Sequence, residues 1–156
     1  MTNDEIIKEK FDESVIGIDE KILKNENAYY NHVVNMPQHL QLVYTVIVFH
    51  NQVYNGGLHQ YFFNKYGMFG YRVIEYLKLI KCYKRVNILE KAIKEINKEG
   101  WSEAEFRKRV FSRTIKKVTD FDEDLFDFLD ELDDEYYELE DEEDLEIYLG
   151  EYLKSL

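Results

Sequence analysis

Residues 40–57 read LQLVYTVIVFHNQVYNGG. From Leu40 to Val53 the chain is apolar nearly all round, the pattern of a helix buried at the centre of a domain. The alternating fragment Val43–Phe49 could stand in a buried strand. The length of the whole run and its flanks favour a helix, since strands usually last only about four to eight residues. Asn35 and Pro37 mark the start, because a first helical turn tolerates proline's missing N–H. Asn55-Gly56-Gly57 stops it, glycine entering the left-handed region without a Cβ clash.

Toward the N-terminus, Thr2 and Glu5 form a capping box, and Ile6, Ile7, Phe11, Val15, Ile22 and Leu23 stripe a first helix. Toward the C-terminus, a short aromatic helix is expected from Leu58 to Tyr66, then a break bracketed by Gly67 and Gly70. Val73, Ile74, Leu77 and Ile80 fit a further helix. Ile88, Leu89, Ala92, Ile93 and Ile96 fit another, ended by Gly100. Ser102 and Glu105 make a second capping box, opening a basic helix. Phe121, Leu125, Phe128, Leu129 and Leu132 form one apolar face in the acidic end, and Leu145, Tyr148, Leu149 and Tyr152 form another. The reading predicts an all-α fold: a single compact multi-helix domain over residues 1–156, with about seven to eight helices and no convincing strand.

Composition narrows the class. One Pro and seven Gly leave little punctuation, which favours long helices. A hydrophobic share of 45%, with 13 Tyr and 10 Phe, is too apolar for a disordered acidic polymer. Met1-Thr2-Asn3-Asp4-Glu5 has neither the basic start nor the apolar stretch of a secretory signal. The longest apolar run, Leu42 to Phe49, is interrupted by Thr45 and falls far short of the roughly 20 residues that span a bilayer. Cys82 is the single cysteine, so no disulfide within the chain is available. The expectation is a cytoplasmic protein with no membrane partner.

Charge is divided unevenly. Residues 120–156 hold eighteen carboxylates and one base, Lys154, for a net −17, while residues 1–119 carry a net +5. Between Asp120 and Asp134, acids at 120, 124, 127, 131 and 134 keep a 4-3-4-3 spacing, which places them on one helical face. Asp122, Asp130 and Asp133 widen that surface, and Glu138 to Glu143, with Asp141 among them, extend it. Like charges one turn apart destabilise a helix by roughly 0.2–0.5 kcal/mol per pair, so core burial, cations or a basic partner must offset them. Three readings follow, the plainest being a generic solubilising surface; calcium binding is a further option, but no stretch shows the Asp-x-Asp-x-Asp-Gly loop. The face could imitate nucleic acid, since duplex DNA presents a charge per roughly 1.7 Å and a helix rises about 1.5 Å per residue. Alternatively, residues 65–119, with fifteen bases and six acids, could fold back and neutralise it. Arg107, Lys108, Arg109, Arg113, Lys116 and Lys117 are placed for that.

The most motif-like segment is Gln52-Val53-Tyr54-Asn55-Gly56-Gly57-Leu58-His59-Gln60-Tyr61-Phe62-Phe63-Asn64. Gln60 and Asn64 lie one turn apart. Their amides could hydrogen-bond backbone groups left free at the helix ends, which makes the segment a structural corner. The functional alternative is a polar pocket lined by Gln52, His59, Gln60 and Asn64.

Through Val53, Asn55-Gly56-Gly57, Gln60-Tyr61-Phe62 and Asn64, and later through Leu132-Asp133-Asp134-Glu135-Tyr136-Tyr137-Glu138-Leu139-Glu140, the sequence resembles the bacterial DNA-mimic protein nineteen-like family. The resemblance runs from about Leu40 to Tyr152. Gln52 stands where the family usually has an acid, Tyr54 where it has Asn and Leu58 where it has an aromatic residue. The resemblance implies an all-helical domain. The family's named member is an acidic dimer that blocks a helix-turn-helix repressor by imitating duplex DNA, which implies a homodimer and a role in transcription regulation here. That role need not hold across a family, because fold does not fix function.

Other chemistry finds little support. His32, His39, His50 and His59 have spacings of 7, 11 and 9, which match no common zinc pattern. No catalytic serine signature or phosphate-binding loop is present, so no cofactor, metal or catalytic residue is expected. The net charge of −12 would repel nucleic acid as a direct ligand. The expected function is non-enzymatic: a DNA mimic that sequesters a DNA-binding protein such as a helix-turn-helix repressor. Asp120, Asp124, Asp127, Asp130, Glu131, Asp133, Asp134, Glu138 and Asp141 would carry the binding. An immunity-type inhibitor of a basic toxin or nuclease is the alternative on the same face. A small-ligand binder or enzyme at Asn55, Gly56, Gly57, Gln60 and Asn64 is the alternative elsewhere.

Overall fold

The computed structural model describes residues 1–156. It is all-α, with no strand. The helices are α1 (Asn3–Ser14), α2 (Glu20–Leu23), α3 (Glu26–Val34), α4 (Gln38–Phe63), α5 (Gly70–Leu79), α6 (Tyr83–Ile96), α7 (Glu103–Ser112), α8 (Lys116–Thr119), α9 (Glu123–Glu142) and α10 (Leu145–Lys154). A 3-10 turn, Lys65–Phe69, joins α4 to α5. α2 and α8 are single turns of four residues, so eight helices are of substantial length. None is long and apolar enough to cross a membrane.

α4 is the axle. Leu42, Val43, Val46, Phe49 and Val53 are fully buried, and α1, α3, α5, α8 and α9 all pack on it. Its apolar circumference is what a helix surrounded on all sides requires. α9 lies across α4 and α6, and α10 closes the assembly against α1. One contiguous core of 37 buried residues holds these layers together, with Leu125, Leu129, Leu132, Tyr136 and Leu139 contributed by α9.

Several local expectations change. The first stripe divides: α1 keeps its capping box on Thr2 and Glu5, but Gly17 turns the chain at φ +87°, and Ile22 and Leu23 fall on α2. α3, capped by the Asn25 side chain, lacks the long apolar stripe that announces a helix. The corner at Asn55-Gly56-Gly57 does break the helix as its glycines predict, so α4 is two helical segments meeting at a kink. Only Gly57, at φ 82° and ψ 178°, leaves helical geometry, and the aromatic segment continues to Phe63. Ser102 caps Glu105 N, but Glu105 pairs with Arg109, so the second box is half made. Phe121, expected on the apolar face of the acidic helix, precedes α9 at φ 55° and is exposed.

Candidate functional site

α9 begins where Asp122 Oδ1 accepts the Leu125 N–H at 2.9 Å. From there Leu125, Leu129, Leu132, Tyr136 and Leu139 recur every three or four residues and face the core. The opposite side presents Asp124, Asp127, Asp130, Glu131, Asp134, Glu138 and Asp141, all exposed. Asp120 is exposed as well, but it lies in the turn after α8 and so outside the helical face on which its spacing placed it.

No carboxylate between Asp120 and Asp141 forms an ion pair with any base of the chain. Internal neutralisation falls at the end of α9, where Lys84 meets Glu142 at 2.9 Å and Arg85 meets Glu143 at 3.6 Å, and on α10, where Lys154 meets Glu151 at 3.0 Å. The arginines of the basic segment are used elsewhere. Arg107 pairs with Glu26 at 2.9 Å and lies 3.7 Å from the centre of the Tyr30 ring. Arg109 pairs with Glu105 and covers Trp101, and Arg113 covers Phe63. Lys117 donates to the Glu95 carbonyl.

Two acids predicted at the surface turn inward. Asp133 is buried, and its Oδ1 accepts the Leu58 N–H at 2.8 Å. This corrects its assignment to the partner-binding face. The kink at Gly57 explains it: leaving helical geometry there strands the next amide, and a carboxylate from α9 supplies the acceptor. A Cβ on Gly57 would meet Asp133 Oδ2 at 2.2 Å, so the glycine also makes room for this approach. Burial raises the Asp133 carboxyl to about 6, with Asp130 and Asp134 adding to the effect and the Leu58 hydrogen bond opposing it. Glu143 is the second. It accepts from the Lys84 and Arg85 amides at 2.9 and 3.1 Å, capping α6, whose own N-cap residue Cys82 offers no side-chain bond. Asp133 lies one turn after Leu129 and Glu143 one turn after Leu139. That periodicity marks Glu143, whereas Asp133 shares its helical position with the exposed Phe126 and Glu140, seven residues before and after it.

The corner is held by its own side chains. Gln52 Oε1 accepts from Gln60 Nε2 at 3.1 Å and from Asn64 Nδ2 at 2.8 Å, and Asn55 Nδ2 reaches Gln60 Oε1 at 3.3 Å. The amides therefore bond one another and leave the backbone at the kink to Asp133, contrary to the expectation that they would satisfy it themselves. A Cβ on Gly56 would run into Gln60 Oε1, so the first glycine of the pair admits the Gln60 side chain. His59 does not share a pocket with these amides. It is buried with Nε2 2.9 Å from the Val118 carbonyl, packed against Phe63, Phe121 and Phe126.

The two motif segments meet in space. Tyr137 donates to the Val53 carbonyl at 2.8 Å, Tyr136 Oη lies 2.8 Å from His50 Nδ1, and Tyr54 packs on both tyrosine rings. Leu132–Glu140 is thus the counterpart onto which the Asn-Gly-Gly kink is fitted. No group of three or more His, Cys, Asp or Glu side chains is arranged to hold a metal ion. A family model described as DMP19-like protein matches residues 34–156, which takes in both segments and everything between them. No curated protein and no solved structure matches the chain.

Proposed function

The chain belongs to the DMP19-like protein family, and on that premise we infer that it is a non-catalytic protein-binding domain, a DNA mimic that sequesters a DNA-binding protein such as a helix-turn-helix repressor. One observation carries the reading: the carboxylates of Asp120, Asp124, Asp127, Asp130, Glu131, Asp134, Glu138 and Asp141 face solvent without a basic partner in the chain. Sustaining such repulsion costs a helix stability, and α9 bears it because its other side is anchored in the core. A rigid ridge of unpaired carboxylates offers a basic groove what a phosphate backbone offers, multiple fixed anions with counterions to release. The glycine kink, sealed by Asp133 and the amide network, acts as scaffold and fixes α9 against α4.

The test is capture from the native cell lysate at low salt, followed by elution with duplex DNA. The reading expects a DNA-binding protein to be retained and released by duplex. A variant with Asp124, Asp127, Glu131 and Asp134 changed to their amides should retain much less. Retention of nothing basic, or capture that duplex leaves undisturbed, would refute it.

A further inference from the structure

The acidic ridge has an aromatic edge. Phe126 and Tyr137 lie eleven residues apart on α9, three turns or about 16 Å along one side of the helix. They are 44% and 37% exposed. Each is doubled by a second exposed ring: Phe121 packs beside Phe126 through His59, and Tyr54 stands 5.1 Å from Tyr137. Exposed rings at regular positions beside the charged ridge are not needed for solubility, and aromatic residues are typical anchors of binding surfaces.

Both rings sit in the same chemical setting. Phe126 has Glu123 three residues before it and Asp130 four after. Tyr137 has Asp134 three before and Asp141 four after. All four acids are exposed on the same helix, so a carboxylate flanks each ring on either side along the helix surface. The chain places two of its own arginines over a ring with a single carboxylate beside it. Arg107 pairs with Glu26 while lying over Tyr30, four residues on from Glu26. Arg109 pairs with Glu105 while covering Trp101, four residues before it. Neither Phe126 nor Tyr137 is covered by any cation of the chain.

We propose that the Phe126 and Tyr137 units are arginine receptors, so that the acidic face selects partners presenting arginine rather than lysine. The guanidinium plane would lie on the ring while its N–H groups reach the flanking carboxylates, a geometry that the compact, strongly hydrated lysine ammonium does not reproduce. This rests on the reading of the acidic face as a binding surface, and it names the side chain that the partner must supply.

The test compares two probes of equal charge, nona-arginine and nona-lysine, binding to the full chain in about 0.1 M NaCl. Wild type should bind nona-arginine about 3–10-fold more tightly, as expected for one or two exposed cation–π contacts. Phe126→Leu combined with Tyr137→Leu should abolish the preference while nona-lysine binding stays near its wild-type value. Tyr137→Phe, which keeps the ring and removes only the hydroxyl on Val53, should retain it. If the double variant is not folded by circular dichroism, Phe126→Leu alone is read, with a partial loss expected. Equal affinity of wild type for both peptides, or a preference that survives loss of the rings, overturns the arginine proposal and leaves the acidic face standing. Failure of both peptides to bind overturns both.

Discussion

At the scale of single residues, Asp133 and Asp134 carry the same side chain one position apart and have opposite roles. A rotation of roughly 100° along α9 sends one carboxylate into the core and the other into solvent. Asp133→Ala should cost about 1–3 kcal/mol in urea unfolding, because it orphans the buried Leu58 N–H. Asp133→Asn keeps an acceptor there and should be far milder. Burial lifts the folded carboxyl to about 6, against about 3.9 in the unfolded chain. In that window the folded state holds the proton more tightly. The contribution of Asp133 is therefore greatest near pH 4 and is lost as pH rises through 6. The stability difference between wild type and Asp133→Asn should shift toward Asn over this range, and a difference flat with pH would contradict the buried carboxyl. The sequence exposed the partners of this contact as two motif segments, but not their meeting. Asp133 reads as one more acid in a run, and its helical position is that of the exposed Glu140 seven residues later, so only the meeting with the Gly57 kink distinguishes it.

At the scale of elements, the acidic end is two things at once. Its outer ridge is solvent-facing charge, and its inner edge closes other helices. Glu143 caps α6 and is the sole carboxylate partner of Arg85, whose side chain is 1% exposed. Glu143→Ala should cost about 3–5 kcal/mol, the penalty for leaving a buried charge unpaired. Glu140→Ala, three residues earlier and exposed, should change stability by no more than about 0.5 kcal/mol. Equal effects would mean that Glu143 is not the structural member of the pair. Helical class, the α4 axle and the glycine break were legible because each is written in periodicity or in glycine's backbone freedom. α3 was not, because nine residues with only Tyr29 and Val33 buried leave too short a stripe to read. The direction of the acids was not legible from charge alone, since neutralisation by residues 65–119 depends on where Arg107, Arg109 and Arg113 fold, and they fold onto Tyr30, Trp101 and Phe63.

At the scale of the whole molecule, the net charge of −12 is concentrated on one ridge and is not cancelled inside the fold. Such a protein is stabilised by packing against its own electrostatics. Salt should therefore strengthen the fold by screening the ridge, even as it weakens binding to a basic partner. The two effects have opposite signs and a common cause. The most direct measurement is the thermal midpoint of the isolated protein at pH 7.5 as NaCl is raised from about 20 to 300 mM, with a Debye length falling from roughly 20 to 6 Å. An unpaired ridge predicts a midpoint that climbs by several degrees, at about 2–4 °C for each kcal/mol of repulsion relieved. The climb should shrink in the variant with Asp124, Asp127, Glu131 and Asp134 changed to amides. A midpoint that falls with salt would mean that attractive pairs are being screened, that the acids are neutralised within the chain, and that the ridge is not free for a partner.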